Sequence, residues 1–167
     1  MLKLGITAAA ALALAGLVAA PVAAQGYDAQ TVKLSVTTAD LSAVVGSLGH
    51  EVLEVDESEQ MVVARAKDGV TYFLIGTACN ADGVSGCQGI MMQVRYNLPP
   101  EVTFETLAEA NFKYAALNTW ADFEEKTLGV TRYQVLDNGA TMANIRANVA
   151  VMLDLAPDAA GIAAGGE

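Results

Sequence analysis

Apolar residues recur at two spacings along this chain, and the spacing changes with position. Leu41, Val44, Val45 and Leu48 fall at i, i+3, i+4 and i+7, which makes one stripe of a short amphipathic helix. Thr37 or Thr38 can cap that helix, Asp40 suits its first turn and Gly49 supplies a stop. Further on, the period drops toward two. Residues 51–56, 61–67, 70–79 and 88–98 read as strands. Asp68-Gly69 joins the second to the third, a hairpin signal because both turn positions favour positive φ. The third strand contains the β-branched and aromatic run Val70-Thr71-Tyr72-Phe73-Leu74-Ile75. In the fourth, Ile90, Met92, Val94, Tyr96 and Leu98 point one way, and Met91, Gln93, Arg95 and Asn97 the other.

Pro99-Pro100 ends that strand. Residues 103–125 then read as a long helix with Phe104, Ala108, Phe112, Ala115 and Phe123 on one face, widened by Leu107, Leu117 and Trp120. Two strands follow, 130–136 and 141–153, around an Asn138-Gly139 turn. In the last one Ile145, Ala147, Val149 and Val151 oppose Met142, Asn144, Arg146 and Asn148. Helix, strands, helix, strands is an α+β order, with a mainly antiparallel sheet of five to six strands packed by two helices. Residues 155–167 are rich in Ala and Gly and are expected to form a flexible tail. Two helices cover such a sheet incompletely. Val149, Val151 and Leu153 then form an exposed strip that suits a symmetric homodimer or another protein partner.

Length and charge narrow the reading. The chain has 167 residues, enough for one domain. Its net charge of −10 and the absence of any Lys or Arg block argue against nucleic acid as partner. Met1 and Lys3 precede an apolar run from Ile6 to Ala20, then Pro21 and the small residues Val22-Ala23-Ala24. Residues 1–24 are therefore expected to be a signal peptide cut before Gln25, leaving a periplasmic or secreted product with no stable membrane insertion. Residues 25–36 form an extended lead-in and 37–154 the folded domain. In an oxidising compartment Cys79 and Cys87 are expected to pair as a disulfide.

Catalytic signatures are missing. His50 is the one histidine, and Ser85 lies in Gly83-Val84-Ser85-Gly86, which is not the nucleophile-elbow pattern. Two Cys and one His do not make a zinc set, and no phosphate loop follows a strand. The expectation is a non-enzyme with no metal and no cofactor. A small-ligand periplasmic sensor is the alternative, and a hydrolase using scattered carboxylates a distant one. Asn111, Tyr114, Asn118 and Trp120 stand out as possible partner-binding residues, because Asn111 and Asn118 are seven apart on the expected long helix and Tyr114 shares their side.

Four features together resemble the YbjN-domain family, described as proposed bacterial sensory transduction regulators. They are the helix ending in Leu48-Gly49; the strand ending in Cys79 with Cys87 opening the next; Asn118-Thr119-Trp120; and the segment from Tyr133 to Asp137 with Gly139. The similarity runs from about Thr37 to Leu153. It implies a fold like that of type III secretion chaperones, with helices on a curved antiparallel sheet, and a protein-binding or regulatory role without chemistry. The family carries Asn-x-Trp-Asn; here Ala121 follows Trp120. The family also ends in an amphipathic helix, where the strand reading of this sequence leaves only the Ala/Gly-rich tail.

Overall fold

A hairpin turn forms at Asp68-Gly69 as expected, but positive φ is taken by Gly69 alone and not by Asp68. Gly69 takes a φ of +93°, and the Ala66 N–H donates to the Val70 carbonyl at 2.8 Å. Around this hairpin the computed structural model describes residues 26–81 and 83–166. The expected signal segment, 1–24, lies outside the described residues, as do Gln25, Asp82 and Glu167. In chain order the elements are β1 (Val32–Lys33), α1 (Thr38–Ser47), β2 (Glu51–Asp56), β3 (Met61–Arg65), β4 (Thr71–Cys79), β5 (Cys87–Asn97), α2 (Phe104–Lys113), β6 (Asn118–Asp122), β7 (Thr127–Val135), β8 (Ala140–Thr141) and α3 (Met142–Ala163).

Six strands form one antiparallel sheet in the order β2-β3-β4-β5-β7-β6, and β1 pairs with β8 in a small second sheet. The inward row Ala64, Tyr72, Val94, Val130 crosses four neighbouring strands, and Val62, Leu74, Met92 run beside it. All seven are buried, packed on Leu41, Val44 and Val45 of α1 and on Met142, Ile145, Val149 and Met152 of α3. Each large aliphatic side chain buried in this way stabilises the fold by about 1.5–3 kcal/mol. The start of α1 is fixed by a reciprocal cap. The Thr37 hydroxyl accepts from the Asp40 N–H at 3.3 Å, and the Asp40 carboxylate accepts from the Thr37 N–H at 3.0 Å. Lys33 adds an ion pair to Asp40 at 2.7 Å.

The fold class is the α+β architecture that the sequence indicates, but three elements differ. The long helix expected at 103–125 stops at Lys113, and residues 118–122 form the edge strand β6. The face read as its core stripe is outward: Phe104 is 80% exposed and Phe112 87%, while Leu107 and Ala110 are buried. The strand expected at 141–153 is the first half of α3. Met142, Ile145, Val149, Met152, Ala156 and Ala159 are its buried residues, a 3-4-3-4-3 spacing that only a helix turns to one side. The tail expected at 155–167 is helical through Ala163, with Ala160, Ile162 and Ala163 also buried. Alanine has the highest helix propensity, and its small side chain lets the helix approach the sheet closely. A third helix thus covers the inner sheet face. The apolar strip expected at Val149, Val151 and Leu153 is not a strip, because Val149 is core and Val151 points away from it.

Candidate functional site

All three helices contribute to one core, on one face of the sheet. The other face carries apolar side chains at its centre, with polar ones around them. Across β3, β4, β5 and β7 the row Met61, Ile75, Met91, Tyr133 lies beside the row Val63, Phe73, Gln93, Thr131. Among the described residues none of these belongs to the helix-packed core. Tyr133 is 53% exposed and Val135, one row further, 59%. A face meant only for water would alternate to polar residues. This one does not.

At the β6 end the face is finished by Trp120. The indole lies across Gly129, where any Cβ would collide with the ring, and its N–H donates to the Thr131 hydroxyl at 2.9 Å. The same hydroxyl accepts from the Gln93 amide at 3.2 Å. The Gln93 oxygen in turn accepts from Arg95 Nε, and the Arg95 guanidinium stands over the Phe73 ring, 4.7 Å from its centroid. Arg95 and Trp120 line a hollow of about 340 Å3 with Asp122, Glu125 and Thr127.

The four residues singled out from the sequence are divided among three surroundings. Trp120 is on the open face. Asn118 is exposed at the edge of the sheet, in register with Thr131. Asn111, on α2, gives its amide to the outer edge of β6: its oxygen accepts from the Thr119 N–H at 2.7 Å and its NH2 donates to the Thr119 carbonyl at 3.0 Å. Tyr114 donates to the Asp158 carboxylate of α3 at 3.3 Å, and desolvation, then this carboxylate, holds the Tyr114 phenol above its ordinary range. Asn111 and Trp120 meet only through β6.

Cys79 and Cys87 are directly opposed across β4 and β5 and form a disulfide. Val36 pairs with Cys87 through two backbone bonds of 2.9 Å, which tie the N-terminal segment to the closed loop.

His50 sits elsewhere, in a hollow of about 460 Å3 bordered by Lys67, Asp68 and Asp154. Its Nδ1 is 3.0 Å from the Tyr72 hydroxyl. Burial pushes the Tyr72 phenol up, so it keeps its proton, and the ring tautomer sets which of the two groups donates. Burial, then the Lys67 ammonium, lowers the imidazole below its ordinary value. Among the described residues no group of His, Cys and carboxylates has the arrangement of a metal site.

The open-face residues were missed in the sequence, yet a signal was there. Tyr72-Phe73-Leu74-Ile75 and Met91-Met92 are continuous apolar runs, the mark of strands with two apolar faces.

No protein-family model matches the chain, and no curated protein matches its sequence. Three solved structures share its fold. YbjN from E. coli, a protein proposed to regulate transcription, matches with a TM-score of 0.60 at 13% identity, over 81% of this chain and 93% of that one. The ExsC–ExsE complex matches at 0.51 and 17% identity, over 70% and 85%. The HopA1–SchA chaperone–effector complex matches at 0.51 and 8% identity, over 69% and 85%. The chain therefore has the YbjN and type III secretion chaperone fold.

Proposed function

We propose that this chain is an exported, non-enzymatic protein-binding domain that holds a polypeptide against its open sheet face. One observation carries the reading: the half-buried Met61, Phe73, Ile75 and Met91 and the exposed Tyr133 and Val135 form an apolar surface on which, among the described residues, no helix packs. Uncovered apolar surface of this kind on a folded domain marks an interaction site. Two of the three proteins with this fold were solved as complexes with protein partners, which supports the reading. His50 pairs its Nδ1 with a buried tyrosine, an arrangement suited to packing more than to proton transfer. Export rests on the residue pattern of 1–24 and on the disulfide. Intact mass of periplasmic material should begin at or near Gln25.

The binding reading is tested by site-specific photo-cross-linking in cells. A cross-linker replacing Ile75 or Met91 should give a polypeptide adduct, while one at Val151, on the outward side of α3, should not. Adducts from Val151 with none from Ile75 or Met91 would remove the sheet face as the site.

Self-association is a second reading, now placed on α2. Phe104 and Phe112, eight residues apart on its outward side, are the most exposed large apolar residues among the described residues. Phe104 packs edge-on against Phe123 at 5.3 Å. Sedimentation of Phe112→Lys against the unchanged protein tests it.

A further inference from the structure

The middle of the open face differs from its edges in charge. The chain carries 19 acidic and 9 basic residues. Yet the outward positions of the four central strands, from Met61 to Arg65, Thr71 to Thr77, Gly89 to Asn97 and Thr127 to Val135, include no Asp or Glu. They include two arginines. Arg65 pairs with Thr71, and Arg95 follows Val94, which pairs with Tyr72, so both arginines stand at one end of the apolar area.

Each arginine is placed to take a further partner. Arg65 reaches Glu51 at 3.6 Å, and both side chains are about half exposed or more. Exposed pairs of that kind contribute little and exchange readily. Arg95 is held more firmly. Its Nε donates to Gln93, and Gln93 is only 4% exposed and is itself fixed by Thr131, which Trp120 also holds. That chain of bonds uses Nε and leaves the two terminal nitrogens. Among the described residues no carboxylate lies within ion-pair distance of Arg95. Asp122 is nearby, but its carboxylate accepts from the Glu124 and Glu125 N–H groups of its own turn. An arginine fixed before binding loses little entropy on binding. The Arg95 guanidinium stands over the Phe73 ring, inside the apolar area, so a partner carboxylate that meets it lies among apolar contacts.

The geometry points to a polypeptide partner with a definite pattern: apolar side chains over Met61, Ile75 and Met91, and an acidic side chain at the Arg95 guanidinium beside Phe73. This rests on the protein-binding reading and adds the charge of the partner. Edge-strand carboxylates share this face, Glu51, Glu54 and Asp56 beside β3 and Asp122 beside β7, so a second copy is one of the outcomes that the test separates.

Two peptides test the inference. Both carry the same alternating Val, Ile and Phe residues; one ends in glutamates and the other in lysines. Binding is read by fluorescence anisotropy and located by methionine-methyl NMR. The glutamate peptide should bind about tenfold tighter or more, as expected for a charge pair in a partly desolvated site. The preference should vanish in Arg65→Gln/Arg95→Gln and weaken in high salt. Met61 and Met91 methyl signals should move, and those of Met92 and Met152 should not. Equal binding of both peptides with Met91 shifts overturns the charge inference and leaves the protein-binding reading standing. Binding that moves no Met61 or Met91 signal, or no binding at all, overturns the inference, and cross-linking from Ile75 and Met91 then decides the reading separately. Dilution-dependent Met91 shifts in a sedimenting dimer would assign the face to a second copy instead.

Discussion

Trp120 occupies the space that a side chain at position 129 would need. The strand pairing sets Trp120 opposite Gly129, and the ring covers that glycine so closely that a Cβ there would overlap it. Gly129 lies inside β7, where glycine loses packing and chain entropy. The indole restores the lost cover. Gly129→Ala should displace the ring and destabilise the fold by about 1–3 kcal/mol, the usual cost of overpacking. Because the chain has a single tryptophan, its emission should shift to the red as the unfolding midpoint falls. An unchanged spectrum and midpoint would show that Trp120 does not rest there.

The helical state of residues 142–163 makes opposite demands on two nearby valines. Val149 is fully buried and Val151 is 39% exposed. Val149→Lys places a charge in the core and should cost about 4 kcal/mol or more. Val151→Lys should change stability by about 0.5 kcal/mol or less. A strand would set both residues on the same side and penalise them alike. Urea midpoints of the two variants decide between the two structures.

The disulfide closes a loop with a sequence separation of 8 between its cysteines. In the chain-entropy account a loop this short stabilises by about 2.5 kcal/mol. Reduction, or Cys79→Ser with Cys87→Ser, should lower the unfolding midpoint accordingly. Thiol titration of the denatured, unreduced protein should find no free thiol.

His50 gives stability a pH dependence of known sign. Burial, followed by Lys67, lowers its folded value below 6.5, so the folded state favours the neutral ring. The unfolded chain therefore binds more protons between the folded value and 6.5. This contribution is complete above pH 6.5 and is lost as pH falls from 6.5 through the folded value. Denaturation midpoints between pH 5 and pH 8 should show that fall, and His50→Gln should flatten it. A midpoint that rises on acidification through this range would reverse the assignment.

Strands β2 to β5 were legible in the sequence because turns and alternation agreed there. Asp68-Gly69 and the inward set Ile90, Met92 and Val94 lie where the pattern puts them. The end of α2 was not legible. Its aromatic residues fall at helical spacing, but Phe104 and Phe112 face outward, and tertiary pairing of Trp120 with Gly129 turns residues 118–122 into a strand. Residues 141–153 fit two periods at once. Ile145, Ala147, Val149 and Val151 alternate, while Met142, Ile145, Val149 and Met152 are helical. Thr141 decides it by accepting from the Asn144 N–H at 3.1 Å, a capping bond that starts a helix. The candidate site was hidden for a different reason. Apolar runs reveal that a strand has two apolar faces, but only topology shows which one the helices leave uncovered.

The Asn111 amide bonded to both the donor and the acceptor of Thr119 limits how many neighbours the sheet can take. Endless cross-β growth needs two bonding edges per molecule, as a linear polymer needs two reactive ends. Here the β6 end is terminated at its midpoint by a side chain that imitates a peptide group. The opposite edge, β2, carries Glu51, Glu54 and Asp56, which repel their own copies. The molecule is thus monovalent at most in sheet-to-sheet pairing. Edge-to-edge growth is opposed at both ends of the sheet, so an apolar sheet face can stay open to a partner without the chain seeding a fibril.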